Sequence, residues 1–185
     1  MGMDVMTTDA KLNACSTKNL DEKVLVPTAE NAREYRNALG QFGTGVTVIT
    51  ATTDTGPIGM TVNSFASVSL EPALVLWSLS KTSGRFEVFQ NAKHYSIHVM
   101  REDQKDFALE FAKNADAFDS CDWHYDKNKI PLLSNALTRF DCVQHAVHDA
   151  GDHIIIVGQV RGVVSNEGAP LIFANGKFGG FSSKD

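Results

Sequence analysis

Three short stretches carry the side chains from which chemistry can be built. The first is GMTVNSFASVSLEP, Gly59 to Pro72. Read in alternation, Thr61, Asn63, Ser67 and Ser69 fall on one side of an extended chain, with Phe65 among them. Met60, Val62, Ala66, Val68 and Leu70 fall on the other. A flat heteroaromatic ring needs short donors at its edge and apolar contacts on its faces. Backbone amides of a strand, with Thr61, Asn63, Ser64 and Ser67 nearby, suit that task. A plain solvated strand rich in hydroxyls has the same composition.

The second stretch, SLSKTSG, sets Lys81 and the hydroxyls of Thr82 and Ser83 where a strand pattern gives way to a helical one. Free N–H groups, a helix dipole and an ammonium would make that junction an anion site. Ordinary capping by Thr82 or Ser83 is the simpler use of the same residues. Taken together, a ring site and an anion site one strand apart describe a phosphorylated aromatic cofactor.

The third stretch, QHAVHDAGDH, crowds His145, His148, Asp149, Asp152 and His153 around a turn. On a strand, His145 and His148 differ by three positions and point to opposite faces, so no metal site is expected. His153 reads either as a turn histidine bonded to Asp152 or as a donor at a strand start.

The elements that must position these groups follow from periodicity. Thr28 is expected to cap a helix through NAREYRNALGQF, burying Ala32, Tyr35, Leu39 and Phe42. Strand signals then come in quick succession: GVTVITATT, a turn at Asp54-Thr55-Gly56-Pro57, IGMTVNSFASVSL as one strand, and ALVLWSLS. KTSGRFEVFQNA is expected as a short helix starting at Lys81, and HYSIHVM as a strand. REDQKDFALEFAKN should be a helix with Phe107, Ala108, Phe111 and Ala112 as its stripe. A loop from Asn114 to Pro131, anchored by Trp123 and Tyr125, leads to two strands, Leu137–Val147 and His153–Val164. The tail is PLIFANGKFGGF. Residues 1–27 are expected as a flexible arm and 28–185 as one domain. Many strands with few helices, and no GxGxxG, point to an antiparallel barrel of the α+β class, mainly β.

Composition narrows the function. The chain has 185 residues, 43% apolar and 21% charged, with a net charge of −5. That balance argues against nucleic acid as a partner, and the scattered Lys and Arg argue against an anionic membrane surface. Three cysteines, Cys15, Cys121 and Cys142, lie far apart without metal or redox spacing, as reduced thiols of a cytoplasmic protein would.

Four pieces in order, FGTGVTVITA (42–51), GMTVNSFASVSLEPALVLWSLSKTS (59–83), GDHIIIVGQV (151–160) and PLIFANGKF (170–178), resemble the short-chain flavin reductases. These are the small components of two-component flavin-dependent monooxygenases. The resemblance implies an antiparallel split β-barrel, a homodimer, FMN or FAD as cofactor, and NADH or NADPH as hydride donor. It implies a separate monooxygenase that takes the reduced flavin. Carried over by position, Thr61, Val62, Asn63, Ser64 and Ser67 match the ring-lining segment. Ser78, Ser80, Lys81, Thr82 and Ser83 match the stretch near ribityl and phosphate. His153 matches a histidine on the nicotinamide side, expected to act in hydride transfer. Phe178 stands where the family often has a tyrosine, leaving an aromatic face without a phenol. For a nucleotide phosphate clamp, the arginines available are Arg85, Arg139 and Arg161. The alternative is a flavin-binding or dimeric scaffold module of the same barrel without turnover.

Overall fold

The computed structural model describes residues 24–183. The arm expected over 1–27 therefore lies outside the described residues as far as residue 23.

The first hairpin forms as its sequence dictates. Strand β1 is the short Thr44–Gly45, and β2 (Thr47–Thr53) is rich in β-branched residues. The chain turns at Asp54-Thr55 into β3 (Gly56–Val62), with Gly56 at φ 137°, a backbone state that glycine takes without strain. Thr53 Oγ1 accepts the Thr55 N–H at 3.2 Å and donates to Gly56 O at 3.0 Å, closing the turn.

The run 59–70 then departs from the single strand expected. It breaks at Asn63-Ser64-Phe65, and β4 (Ala66–Leu70) is a separate element. The chain continues through β5 (Ala73–Ser80), α1 at Ala32–Leu39 having preceded the sheet and α2 (Phe86–Asn91) following it. Next come β6 (His94–Val99), α3 (Lys105–Lys113), and the small pair β7 (Trp123–Tyr125) and β8 (Pro131–Leu133) inside and after the expected loop. A long hairpin of β9 (Thr138–Ala150) and β10 (His153–Ser165) follows, its turn narrowed to Gly151-Asp152. The tail closes as β11 (Ile172–Ala174) and β12 (Lys177–Gly179).

Seven strands make the main sheet, in the order β3-β2-β6-β9-β10-β5-β4. Its two edges, β3 and β4, are joined by only Asn63, Ser64 and Phe65. Four backbone steps reach about 14 Å at most, whereas a flat sheet of this size would hold its edges about 29 Å apart. The sheet must therefore curl until its edges meet across that link, which makes it a split barrel. Ser64 fixes the junction: its Oγ donates to Ser78 O at 3.1 Å and accepts the Ser78 N–H at 2.9 Å.

Inside the barrel, Trp77 stands edge-on to Phe89 at 5.6 Å and to Tyr95 at 6.0 Å, with Leu79, Ile97 and Ile156 around them. His98 is buried on the other face of β6, where Val48, Met100, Phe111 and Leu133 form a second cluster. Its Nδ1 lies 3.1 Å from Val48 O, and its Nε2 accepts the Leu133 N–H at 3.1 Å. That pairing requires a neutral ring with the proton on Nδ1. Burial pushes the His98 pKa down to about 3.

Helix α3 packs where β3 has no side chain to obstruct it. A Cβ on Gly59 would stand 2.3 Å from the Phe111 ring. Ala108 and Phe111 are buried as expected, but Ala112 is exposed. Helix α1 departs further from expectation. Its N-cap is Asn31, whose Oδ1 accepts the Thr28 N–H at 2.8 Å, and none of its residues is buried. Tyr35, Leu39 and Phe42 are all exposed, Phe42 over 78% of its surface, and Leu39 and Phe42 border an open hollow shared with Asn63 and Phe173. The Asn175 N–H donates to Gly40 O at 2.7 Å and ties down its C-terminal end. The helix expected from Lys81 begins only at Phe86, since the turn at Ser83 precedes it.

Candidate functional site

Strand β3 lies at an open edge of the sheet, and the outer edge of its last residues borders a hollow. Thr61, Val62 and Asn63 line it together with Val46, Phe173 and Phe178, enclosing about 160 Å³. The aromatic wall is positioned by the tail hairpin. Asn175 and Gly176 take φ values of 50° and 73°, the turn geometry that β hairpins favour. Phe178 consequently packs on Phe173 with ring centroids 5.0 Å apart.

One backbone donor at the hollow follows from the strand pairing. The Gly59 N–H turns away from β2 to reach Ala115 O at 2.8 Å. Directions alternate along an antiparallel strand, so the Thr61 N–H also points away from β2, along the open edge. Thr61 Oγ1 donates to Ala108 O at 2.5 Å, which pins the strand end to α3 and commits its hydroxyl proton.

A larger hollow of about 540 Å³ adjoins the first and shares Thr61 with it. Met60, Ser83, Gly84, Arg85 and Lys113 supply its other chemistry. Ser83 Oγ accepts the Arg85 N–H at 3.2 Å. Arg85 Nη1 donates to Phe111 O at 2.7 Å, and burial lowers the pKa of this half-buried guanidinium, opposed by the charge of Asp116. Among the described residues it makes no ion pair. Arg139, by contrast, is committed to Asp141 at 3.0 Å, and Arg161 sits in a different hollow beside His94 and Asp126.

Lys81 is not the free ammonium that its sequence position suggested. Its Nζ is bonded to the Asp149 carboxylate and donates to Gly151 O at 2.7 Å, across the β9–β10 turn. Ser80 Oγ and Thr82 Oγ1 bond each other at 3.0 Å. His153 pairs with Ser80 across β10 and β5, and Ile155 with Ser78, so His153, Ser80 and Ser78 share one face. His153 Nδ1 bonds Asp152 at 2.8 Å, and that bond lowers the Asp152 pKa.

The structure thus brings Thr61, Val62, Asn63 and Phe178 to one hollow and Ser83 to the adjoining one. Ser64 and Ser78 are held together as the barrel's staple. Ser80, Lys81, Thr82 and His153 form a second polar group at the far end of β5, and His153 lines neither hollow. Ser67 stands exposed on β4, at the opposite edge. Val46, Phe173 and Lys113 were not singled out from sequence. Val46 and Phe173 lie in ordinary strand patterns, and nothing local marks them as site residues.

Residues 39–182 match the flavin reductase-like domain family. The chain belongs to that family. It is 54% identical over 162 residues to an FMN reductase (NADH), SmoA, of Agrobacterium fabrum, covering 88% of this chain and 93% of the relative. It is 37% identical to HsaB of Mycobacterium tuberculosis, a flavin-dependent monooxygenase reductase subunit, covering 80% of this chain and 81% of the relative. Among solved structures, the Streptomyces globisporus NADH:FAD oxidoreductase SgcE6, in complex with NAD and FAD fragments, superposes with a TM-score of 0.79 at 31% identity. That match covers 87% of this chain and 99% of the other. The donor set of this family member fits a flavin nucleotide. Apolar walls, an outward amide, the Ser83 hydroxyl and the Arg85 guanidinium, which makes no ion pair among the described residues, line the two hollows that share Thr61.

Proposed function

We propose that this chain is an NADH-dependent flavin reductase that supplies reduced flavin to a separate monooxygenase. The observation that carries this reading is the hollow along β3, where Phe173 and Phe178 face an outward-pointing strand amide. The Agrobacterium fabrum relative, named an FMN reductase (NADH), supports NADH as the donor. The HsaB relative, named a reductase subunit, supports hand-over to a partner.

A flavin held there would supply the redox chemistry, as the acceptor of a hydride from NADH. The chain's own residues bind, orient and exclude water. Val62 and the two phenyl rings would offer flat apolar contact to it, and the Thr61 amide would donate to the polar edge of its ring system. A fixed donor at a site of developing negative charge stabilises the transition state more than the ground state. Holding two reactants face to face contributes up to about 7–11 kcal/mol where the alignment is ideal. By its match to the family histidine, His153, anchored by Asp152 outside both hollows, is assigned to the nicotinamide side, and no side chain is required to move a proton.

A second copy of this chain covers the apolar surface left bare by α1 and β4, where Leu39, Phe42, Val68 and Leu70 are exposed. The functional test is anaerobic mixing of the purified protein with FMN and NADH. Loss of absorbance at the nicotinamide and oxidised-flavin bands, at a rate proportional to protein, is the expected result. A protein that binds FMN without accelerating its reduction would be a carrier module instead.

A further inference from the structure

Of the methionines in the chain, Met60 and Met100 lie within the described residues, and their surroundings differ in kind. Met100 has 0% of its surface exposed and is enclosed by the cluster of Val48, Phe111 and Leu171. Met60 belongs to the barrel core, where β3 pairs it with Ile49, yet 9% of its surface is exposed. It lines the 540 Å³ hollow that shares Thr61 with the aromatic one.

Its sulfur is the oxidisable atom of that hollow. Ser83 Oγ donates to Met60 Sδ at 3.8 Å, a weak bond to a soft acceptor that leaves one sulfur lone pair uncommitted. Beside Ser83 the space is open, for a Cβ on the exposed Gly84 would meet nothing within 4 Å. The activity proposed above also generates an oxidant here. A reduced flavin that no monooxygenase collects gives two electrons to dioxygen, which with two protons becomes hydrogen peroxide. A thioether then takes one peroxide oxygen: the O–O bond breaks, an S–O bond forms, sulfur loses two electrons, and the other oxygen leaves as water.

We propose that Met60 is a redox modification site, whose conversion to the sulfoxide by peroxide from uncollected reduced flavin weakens flavin binding along β3. The sulfoxide is polar and a stronger acceptor than the thioether, so it draws the Ser83 hydroxyl and sets a dipole at the rim of the core beside Ile49. Met60 directly precedes Thr61, so that disturbance falls on the strand end that borders both hollows. Methionine sulfoxide reductases reverse the change. Turnover would therefore slow when no acceptor takes the flavin, and recover afterwards. The inference rests on the flavin reading for the source of its oxidant, not for the reactivity of the sulfur.

The test has two arms. In the first, hydrogen peroxide is added to the protein and its peptides are weighed. The Met60 peptide should gain one oxygen at least about 10-fold faster than the Met100 peptide. FMN affinity should fall about 3- to 10-fold as Met60 is oxidised, and return after treatment with methionine sulfoxide reductases. Met60→Leu, which conserves volume, should keep its own starting affinity through the same treatment. In the second arm, the protein turns over FMN and NADH in air without an acceptor; Met60 sulfoxide should accumulate, and catalase should suppress it. Equal oxidation of Met60 and Met100 by added peroxide, or unchanged FMN affinity in protein oxidised at Met60, overturns the proposal while the flavin reading stands. So does an unmodified Met60 after aerobic turnover that has reduced FMN. A protein that reduces no FMN removes the flavin reading, and the source of peroxide with it.

Discussion

Strands β3 and β4 come from one run of alternating residues and end on opposite edges of the same sheet. Beyond Gly59, the edge of β3 looks onto aromatic side chains of the tail hairpin, with a hollow between. The outer edge of β4 pairs with no further strand among the described residues, and Leu70 has 96% of its surface exposed. The two edges have similar composition, so what each can do is decided by its neighbours. An edge backed at a distance by rigid rings is a place for a flat ligand. An apolar edge with no cover is a place for another protein surface.

Three perturbations sharpen that contrast. The largest effect should come from acid, because His98 ties β2 to β8 and holds the barrel that sets both edges. The ring is neutral in the fold, with its pKa pushed down to about 3, while the unfolded chain protonates near 6.5. The unfolded state therefore binds more protons below about pH 6.5, and stability falls steadily from there toward pH 3. The loss attributable to His98 is roughly 3–5 kcal/mol over that window. Denaturant titrations at several pH values should show this slope, and His98→Gln should flatten it. A wild-type slope retained in that variant would contradict the assignment.

Smaller, and confined to the β3 side, is Gly59→Ala. The added methyl would collide with the Phe111 ring, which is fully buried and has no room to retreat. A loss of about 1–3 kcal/mol is expected, read as a lowered Tm. Gly45→Ala, where an added methyl meets nothing within 4 Å, should be nearly silent. Equal effects at the two positions would mean that α3 does not lean on β3 as described.

The smallest effect on stability should come from the β4 side. Leu70→Lys leaves the core untouched, so the Tm of the dilute protein should hold. Self-association, followed by light scattering across a concentration series, should weaken about 10-fold. Unchanged association in this variant would move the second copy to another face.

Much of the fold was legible because local signals agreed with the final pairing. The hairpin through Asp54-Thr55, the strands ending at Ser80 and Val99, and the long strands flanking Gly151 all appear near their expected bounds. The break at Asn63-Ser64-Phe65 was hidden because the alternation runs through it, and periodicity carries no information about which edge a strand joins. The stripe of α1 was correctly apolar, yet burial needs a partner surface that the described chain does not provide. At the candidate site, Thr61 and Asn63 were singled out from the strand pattern and Val62 and Phe178 from the resemblance, and the structure brings the four to one hollow. The state of Lys81 was invisible in sequence, since its partner Asp149 lies 68 positions away. Of the three arginines, Arg139 is ion-paired with Asp141, Arg161 lines a hollow beside His94, and Arg85 lines the one that shares Thr61, placements that sequence spacing does not reveal.

The central claim is that a flavin ring lies along β3 between Thr61 and Asn63. Asn63 is exposed and lines the aromatic hollow, so Asn63→Trp should fill that space without disturbing the core. Calorimetric titration with FMN should show affinity reduced at least about 10-fold, with the Tm unchanged. A tryptophan variant that binds FMN as tightly as the wild type would place the ring elsewhere and contradict the account.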